Sequence, residues 1–255
     1  MKVLVTGTNG TLAPELVAAL EAAGHACVPW RRDAVDPNDE GACAAFLDEV
    51  QPDAVAHLAL GAERWAEQLA AWCAGRERPF LYTSSAMVFG NEPQGPHRVG
   101  DERSGTDDYG KYKARCEDLI SAACPGGTLA RIGWQIGLEA TGKNDMLTHL
   151  CATHEREGRI EASTRWVPAC SFLVDTAATL VELLERPVAG VVHLDANAES
   201  AWTFFQLVQA LRAGPGEERW SVEPSEGYVH DQRLLDDDPS HPRVAPLSAR
   251  LSLQE

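Results

Sequence analysis

The sequence has no long apolar run and no paired cysteines, and each absence excludes a class of protein. No stretch approaches the roughly 18 consecutive apolar residues of a membrane-spanning helix. Met1 leads directly into a β-branched stretch rather than a basic segment with a long apolar run, so we expect no secretory signal. The seven cysteines are widely spaced and form no C-x-x-C pair, which is typical of reduced thiols in a cytoplasmic protein and not of a disulfide framework.

Basic residues are also scarce. The chain carries 22 Lys and Arg against 38 Asp and Glu, a formal net charge of −16. Nucleic acids and anionic membranes attract clustered Lys and Arg, so we expect binding to neither. His149, Cys151 and His154 do not share one helical face, and we predict no metal site. The 255 residues and their 44% hydrophobic fraction suit one large domain, or one domain with a small companion.

Short apolar strands alternate with helices through the first half of the chain. The expected strands cover residues 2–6, 25–30, 54–59, 80–84 and 128–132, and the expected helices cover 14–24, 40–50, 62–74 and 109–123. This alternation predicts the α/β class, with a Rossmann-type doubly wound parallel sheet. After Gly137 the regular alternation of strands and helices ends, and from Gly214 onward Pro, Gly and acidic residues accumulate. We assign residues 1–133 and 170–195 to the domain that holds this sheet, and residues 134–169 and 196–255 to a small lobe beside it.

A glycine turn follows the first strand and precedes the first helix. Gly7 permits the tight turn, Gly10 allows the backbone to approach a phosphate, and the small Ala13 lets the helix pack on the strand. The N-terminus of that helix presents N–H groups and a positive dipole end to an anion. A Gly-x-x-Gly-x-x-Ala turn at the start of a βαβ series therefore predicts a dinucleotide-binding site.

The end of the second strand decides which dinucleotide is favoured. Arg31 and Arg32 stand there before any acidic residue, and two guanidinium groups suit the 2′-phosphate of NADP. A solvated pair of loop arginines is the structural alternative. NAD remains an alternative cofactor, because the acidic side chain of Asp33 or Asp36 at this place could bind its ribose hydroxyls. Asp36 is also suited to cap a turn or to touch the adenine end of the cofactor.

A tyrosine and a lysine share one helical face near the end of the fourth strand. Tyr109 and Lys113 are four residues apart, and Ser85 ends a strand whose carboxyl end faces the ligand crevice of such a sheet. A tyrosine, with a pKa of about 10 in water, becomes a usable acid only if a cation stabilises its phenolate. Lys113 supplies that cation, and Ser85 can bind a substrate oxygen as charge develops on it. Tyr112 competes as the acid, but Cys116 stands where its lysine would be.

These motifs resemble the extended short-chain dehydrogenase/reductase superfamily, and within it the dTDP-4-dehydrorhamnose reductase-like sugar-nucleotide ketoreductases. The resemblance runs along nearly the whole chain and rests on residues 7–13, 57–59, 84–90, 109–117, 131–134, 172–175 and 242–251. It implies that Ser85, Tyr109 and Lys113 form the catalytic triad, that residues 58–60 line the cofactor, and that residues after Gly133 shape the substrate site.

The predicted contacts form two sets. The cofactor, NADP with NAD left open, is expected to contact Gly7, Thr8, Asn9, Gly10, Thr11, Leu12, Arg31, Arg32, Asp36, Leu58, Ala59, Leu60, Thr83, Tyr109, Lys113 and Ile132. The substrate, a small-molecule carbonyl compound such as a nucleotide-sugar, is expected to contact Ser85, Met87, Tyr109, Trp134 and Trp166. The segment between Gly61 and Pro79 is shorter than in the family, where it helps to form a dimer face, so a homodimer is left open.

NADPH-dependent reduction of a ketone, with Tyr109 as general acid, is the reaction that the sequence favours. Sugar-nucleotide dehydratases of the superfamily usually place acidic residues just after the catalytic hydroxyl residue, whereas Ala86 and Met87 follow Ser85 here. Two alternatives remain. One is an NAD-dependent sugar-nucleotide epimerase, and the other is a non-catalytic NADP-binding regulatory subunit of the same fold.

Several polar residues have a structural interpretation. His57 and His193 lie on apolar strands and are expected to be satisfied core histidines. Asp107 and Asp175 precede predicted helices and are expected to cap them. The acidic run from Asp236 to Asp238 is expected to form a solvated loop.

Overall fold

Six parallel strands form the central sheet of the protein. The computed structural model describes residues 1–92, 94–138, 144–213 and 220–253. The sheet has the order β2–β1–β3–β4–β6–β10, formed by β1 (Lys2–Thr6), β2 (Ala26–Pro29), β3 (Ala54–His57), β4 (Phe80–Ser85), β6 (Thr128–Ile132) and β10 (Gly190–Leu194). This arrangement confirms the predicted α/β class and the Rossmann-type sheet.

Helices cover both faces of this sheet. They are α1 (Ala13–Ala22), α2 (Glu40–Val50), α3 (Glu63–Ala74), α4 (Asp108–Ala123) and α6 (Leu173–Glu185). Two further helices, α5 (Met146–Glu157) and α7 (Phe204–Ala213), pack on the shorter strands beside the sheet. Helices α1 and α6 pack together, and so do α3 and α4. Their apolar side chains fall into two separate core clusters. All six residues of β4 are buried, as expected for a strand covered on both faces.

The remaining strands form three short parallel pairs beside the main sheet. They are β5 (His97–Arg98) with β12 (Leu234–Leu235), β7 (Trp134–Ile136) with β9 (Cys170–Phe172), and β8 (Ile160–Val167) with β11 (Val222–Asp231). The β8–β11 register shifts between Ser225 and Val229, where the Ser163 hydroxyl donates a hydrogen bond to the Tyr228 carbonyl at 2.5 Å. The β5–β12 pair brings residues 97–98 beside residues 234–235, and Gln232 contacts Met87 just after β4.

Strand β11 is an element that the sequence analysis did not predict. Pro224 and Gly227 interrupt its sequence, and its partner β8 lies some sixty residues earlier in the chain. A local pattern does not reveal a pairing that depends on so distant a segment. The described residues include no helix long and apolar enough to cross a membrane.

The structure confirms some polar assignments and corrects others. Asp107 caps α4, because its carboxylate accepts a hydrogen bond from the Gly110 N–H at 2.9 Å. Asp175 does not cap α6, which begins two residues earlier; its carboxylate instead forms a double ion pair with Arg250. Asp236 is only 7% exposed, and its carboxylate accepts one hydrogen bond from the His193 backbone N–H, so the expectation of a solvated loop was wrong there.

Candidate active site

The glycine turn after β1 has the backbone geometry that a close ligand approach requires. Gly7 has a φ of 80°, and a Cβ on it would stand 3.0 Å from the Ala59 backbone nitrogen. The Gly10 N–H donates to the Gly7 carbonyl at 2.8 Å, which closes the turn directly before α1. Pro14 lies in the first turn of α1, where a missing N–H costs no helical hydrogen bond. Larger side chains in place of these glycines would crowd the space in front of the N-terminus of α1.

A cavity of about 940 Å³ extends from this turn to α4. Every residue predicted to contact the cofactor lines it, with the exception of Asp36. The Asp36 carboxylate instead accepts hydrogen bonds from the backbone and side chain of Asn38, so it shapes a turn. Asp33, which the sequence analysis named only for the case of NAD, also lines the cavity. Sequence reasoning did not name as cofactor contacts five further lining residues, which are Ala13, Pro29, Trp30, Ser84 and Asn144.

Thr6 holds the opposite wall of the cavity in place. Its hydroxyl accepts hydrogen bonds from the backbone N–H groups of Leu58 and Ala59, at 3.0 and 3.1 Å, and lies 2.8 Å from His57 Nδ1. With both acceptor positions in use, the Thr6 hydroxyl donates its proton to Nδ1, so the neutral His57 ring carries its own proton on Nε2. No motif marks Thr6, because it acts by tying β1 to the segment after β3.

The two arginines differ in how they are held. Arg31 lines the cavity with a side chain that is 69% exposed and paired with Asp33. Arg32 donates to the Leu60 carbonyl, and its guanidinium lies 5.3 Å from the centre of the Trp65 ring. A positive group thus stands at the end of β2, on the wall of the first cavity.

Ser85, Tyr109 and Lys113 meet at the carboxyl end of β4. Lys113 is 2% exposed, and its Nζ donates to the Thr83 carbonyl at 2.8 Å and lies 5.7 Å from the centre of the Tyr109 ring. Burial lowers the pKa of Lys113 to about 8. The Tyr109 ring is 41% exposed; burial of its hydroxyl raises the pKa of Tyr109, and a hydrogen bond with Ser85 opposes that rise.

Tyr112, the competing tyrosine, has its ring centre 5.8 Å from Lys113 Nζ, about as close as the ring of Tyr109, but its hydroxyl is engaged elsewhere. Its hydroxyl accepts a hydrogen bond from the Gly61 N–H at 3.2 Å, and its side chain lines neither of the two cavities. Burial raises the pKa of Tyr112 beyond its ordinary range.

A second cavity of about 750 Å³ adjoins the first. Leu60, Tyr109, Ile132 and Asn144 line both, so the two cavities meet at the Tyr109 ring. All five predicted substrate contacts line the second cavity. Sequence reasoning missed its other lining residues, which include Gln135, Asn144, Tyr228 and Gln232.

An aromatic group forms one side of this second cavity. The Trp134 and Trp166 rings are stacked with centres 6.3 Å apart, and Tyr228 meets Trp166 edge-on at 5.4 Å. The Gln232 amide contacts the sulfur of Met87 at 3.5 Å, which joins β11 to the turn after Ser85. Among the described residues, no group of three or more His, Cys, Asp or Glu side chains is arranged to hold a metal ion.

Two buried histidines next to the site stay neutral in the folded chain. Burial, with the nearby charges of Lys113 and Arg32, lowers the pKa of His57 to about 3. Burial, with the nearby charge of Arg131, lowers the pKa of His193 to about 4. The His193 Nδ1 lies 3.0 Å from the Leu235 carbonyl. Both are buried in the core, as the sequence predicted, but His57 Nε2 has no hydrogen-bond partner among the described residues, so the expectation of a satisfied ring was wrong for His57.

Lowering the pH from 7 to 5 is therefore expected to weaken folding. The unfolded chain binds a proton on each ring near pH 6.5, whereas the folded chain binds it only near pH 3 for His57 and near pH 4 for His193. The stability that depends on neutral rings is complete above pH 6.5 and is lost as the pH falls, by about 2 kcal/mol for each histidine at pH 5. Urea unfolding at both pH values measures this loss. Burial raises the pKa of Asp195 to about 7, which opposes this loss in the unaltered chain, so the variants decide the matter. His57→Gln and His193→Gln should each make the unfolding free energy fall less between pH 7 and pH 5, and an unchanged fall in both variants would contradict the prediction.

The fold and the site together define a class. A six-stranded Rossmann-type sheet, a glycine turn before α1, and a Ser–Tyr–Lys group where two cavities meet identify an NAD(P)-dependent oxidoreductase of the extended short-chain dehydrogenase/reductase type. The chain belongs to the family of the RmlD substrate binding domain, which matches residues 1–65 and 62–229.

Individual relatives agree with this membership. The chain is 28% identical to the probable low-salt glycan biosynthesis reductase Agl14 of Haloferax volcanii over 226 residues, 76% of this chain and 74% of the relative. It is also 28% identical to the dTDP-4-dehydrorhamnose reductase of Burkholderia thailandensis over 242 residues, 85% of this chain and 80% of the relative. The crystal structure of dTDP-4-dehydrorhamnose reductase from Bacillus anthracis in complex with NADP has a TM-score of 0.81 at 14% identity, covering 96% of this chain and 95% of that one. At this identity the likeness to the crystal structure shows the fold.

Proposed function

We propose that this protein uses NADPH to reduce the keto group of a nucleotide-activated sugar, with the 4-keto sugars as the leading class. The observation that carries the proposal is the meeting of two cavities at Tyr109, beside Ser85 and Lys113. One cavity begins at a helix N-terminus, as a pyrophosphate requires. The other has stacked aromatic walls with amide side chains, which suit a sugar ring. The relatives named as reductases of this kind support the same substrate class.

Three side chains would divide the chemistry. NADPH supplies the hydride when it is bound. Ser85 donates a hydrogen bond to the carbonyl oxygen as negative charge develops on it. The Tyr109 hydroxyl then gives its proton to that oxygen, and the Lys113 cation stabilises the phenolate that remains. The lowered pKa of Lys113, about 8, still leaves its ammonium group charged at neutral pH.

The two cavities support the proposed division of the chain into a cofactor-binding domain and a substrate-binding lobe. Residues 1–133 and 170–195 would hold the cofactor along the first cavity. Residues 134–169 and 196–255 would supply the sugar-facing wall through Trp134, Trp166 and Tyr228, all of which line the second cavity.

The direct test is NADPH oxidation in the presence of 4-keto-6-deoxy nucleotide-sugars, followed by identification of the product. Reduction at the keto carbon, with loss of NADPH fluorescence, is the expected result. Interconversion of two nucleotide-sugars with NAD retained on the protein would instead support the epimerase alternative. NADPH binding without turnover of any carbonyl compound would support the regulatory alternative.

Replacing Arg31 should separate NADPH from NADH. We expect Arg31→Ala to weaken NADPH binding about tenfold, because a charge-assisted contact with the 2′-phosphate is lost, and to leave NADH binding nearly unchanged. Fluorescence titration of both nucleotides measures this difference. Arg64→Ala is the matched control, since Arg64 is an exposed arginine paired with Glu40 and lines neither cavity. Equal weakening of both nucleotides in Arg31→Ala would place its contact elsewhere than at the 2′-phosphate.

A further inference from the structure

Glu117 belongs to the motif that carries Tyr109 and Lys113, but it has no role in the proton transfer proposed above. It lies four residues after Lys113 on the same face of α4 and is buried with that lysine. A buried carboxylate costs free energy unless it is paired and hydrogen-bonded. A carboxylate buried beside the reacting groups must therefore be stabilised by neighbouring side chains.

Three described side chains satisfy the Glu117 carboxylate. Arg131 donates two bonds, from Nε to Oε1 at 2.9 Å and from Nη2 to Oε2 at 2.8 Å. Arg103 Nη1 donates to Oε2 at 3.3 Å, and the Ser84 hydroxyl donates to Oε1 at 2.5 Å. Ser84 and Arg131 face each other in the register of β4 and β6. The ion pair and the serine hydroxyl thus lie side by side at the carboxyl end of the sheet.

Helix α4 consequently holds β4 at two successive residues just before Ser85. Lys113 binds the Thr83 carbonyl at 2.8 Å, and one turn further along α4 Glu117 binds the Ser84 hydroxyl. Two such bonds from one helical face fix both the distance and the rotation of the strand end. Ser85, the next residue, projects from that fixed end toward Tyr109.

Glu117 also acts on Lys113 electrostatically. Burial lowers the pKa of Lys113, and Cys116 and Glu117 oppose that fall. The other titratable groups around Lys113 are His57 on β3, Tyr82 on β4, and Tyr109, Tyr112 and Cys116 on α4. The histidine, the tyrosines and the cysteine named here carry no negative charge at neutral pH, whereas the carboxylate of Glu117 does.

We propose that Glu117, clamped by Arg131, is a positioning residue for ketone reduction: it orients the strand end that carries Ser85 and keeps Lys113 protonated. The inference rests on the proposed function for its kinetic consequence. The effect of Glu117 on the protonation of Lys113 can be measured without substrate and does not depend on the proposed reaction.

The test compares Glu117→Gln with Asp118→Asn. Asp118 is the next residue of α4, is 64% exposed and pairs with Arg103, so its variant removes one carboxylate without touching the strand end. The chain has only four lysines, so NMR with labelled lysine follows the titration of Lys113 in the protein without substrate. We expect Glu117→Gln to lower the midpoint of that titration by about one pH unit and kcat by about tenfold or more, with KM for the ketone changed by less than about threefold. Asp118→Asn should leave all three unchanged.

A second variant separates positioning from folding. Glu117→Gln leaves Arg131 partly uncompensated, whereas Glu117→Leu with Arg131→Met replaces both charges by apolar groups and is expected to fold stably. If Glu117 positions Ser85, this double variant keeps a low kcat. Recovery of kcat in the double variant, or an unchanged Lys113 titration and kcat in Glu117→Gln, would overturn the inference. Absence of ketone reduction by the unaltered chain would contradict the proposed function alone, and the lysine titration would still decide whether Glu117 controls Lys113.

Discussion

Tyr109→Phe is expected to lower kcat for ketone reduction by about 10³-fold, because it removes the proton donor while keeping the ring. The ring itself lines both cavities, so the variant preserves their walls. NADPH affinity should stay within about twofold of the unaltered chain, since the loss concerns a proton transferred only during the reaction. Single-turnover oxidation of bound NADPH, together with fluorescence titration, measures the two effects separately.

Tyr112→Phe is the matched control for this prediction. Tyr112 lies on the same helix and loses the same hydroxyl, but that hydroxyl binds the Gly61 N–H away from both cavities. We expect its kcat to remain near that of the unaltered chain. A large loss in Tyr112→Phe with full activity in Tyr109→Phe would reverse the assignment of the acid.

Gly110→Ala is expected to damage both the fold and the site. A Cβ on Gly110 would stand 2.0 Å from the Met87 carbonyl oxygen, so α4 rests with bare backbone against the turn that follows Ser85. The clash cannot be relieved by rotating a side chain, and the helix must move away from the strand end. An overpacking cost of about 3 kcal/mol exceeds the gain of about 1 kcal/mol in helix propensity, which leaves a net loss of about 2 kcal/mol.

The same displacement should lower kcat by about 100-fold, because Tyr109 and Lys113 move with the helix while Ser85 stays with the strand. Urea unfolding and steady-state kinetics measure the two losses. Gly126→Ala is the control, since a Cβ on Gly126 meets no atom within 4 Å. A Gly110→Ala variant with unchanged stability and unchanged kcat would show that α4 does not depend on this contact.

Much of the site was predictable because its signals are local. The glycine turn, the i, i+4 spacing of Tyr109 and Lys113, and the alternation of strands and helices each depend on fewer than about twenty neighbouring residues. Helix α2 begins at Glu40 and ends at Val50, as its sequence indicated. The roles of the predicted contacts stay predictions until they are tested.

The parts of the site that the sequence did not predict depend on contacts between residues far apart in the chain. Tyr228 and Gln232 line the second cavity only because β11 pairs with β8 across some sixty residues. The bonds of Glu117 join α4 to β4 and β6, and the Thr6 hydroxyl joins β1 to the segment after β3. No local pattern contains both partners of such a contact. Asp175 and Asp236 were misassigned for the same reason, since Arg250 and His193 are remote in sequence.

The wall shared by the two cavities has a consequence for the order of events. Leu60, Tyr109, Ile132 and Asn144 bound both spaces, so a dinucleotide that fills the first cavity up to Tyr109 completes one side of the second. The nucleotide then contributes binding surface to the sugar, and by reciprocity the sugar slows the departure of the nucleotide. We therefore expect ordered addition, with the nucleotide entering first and leaving last, and inhibition kinetics in which the oxidised nucleotide competes with NADPH but not with the ketone.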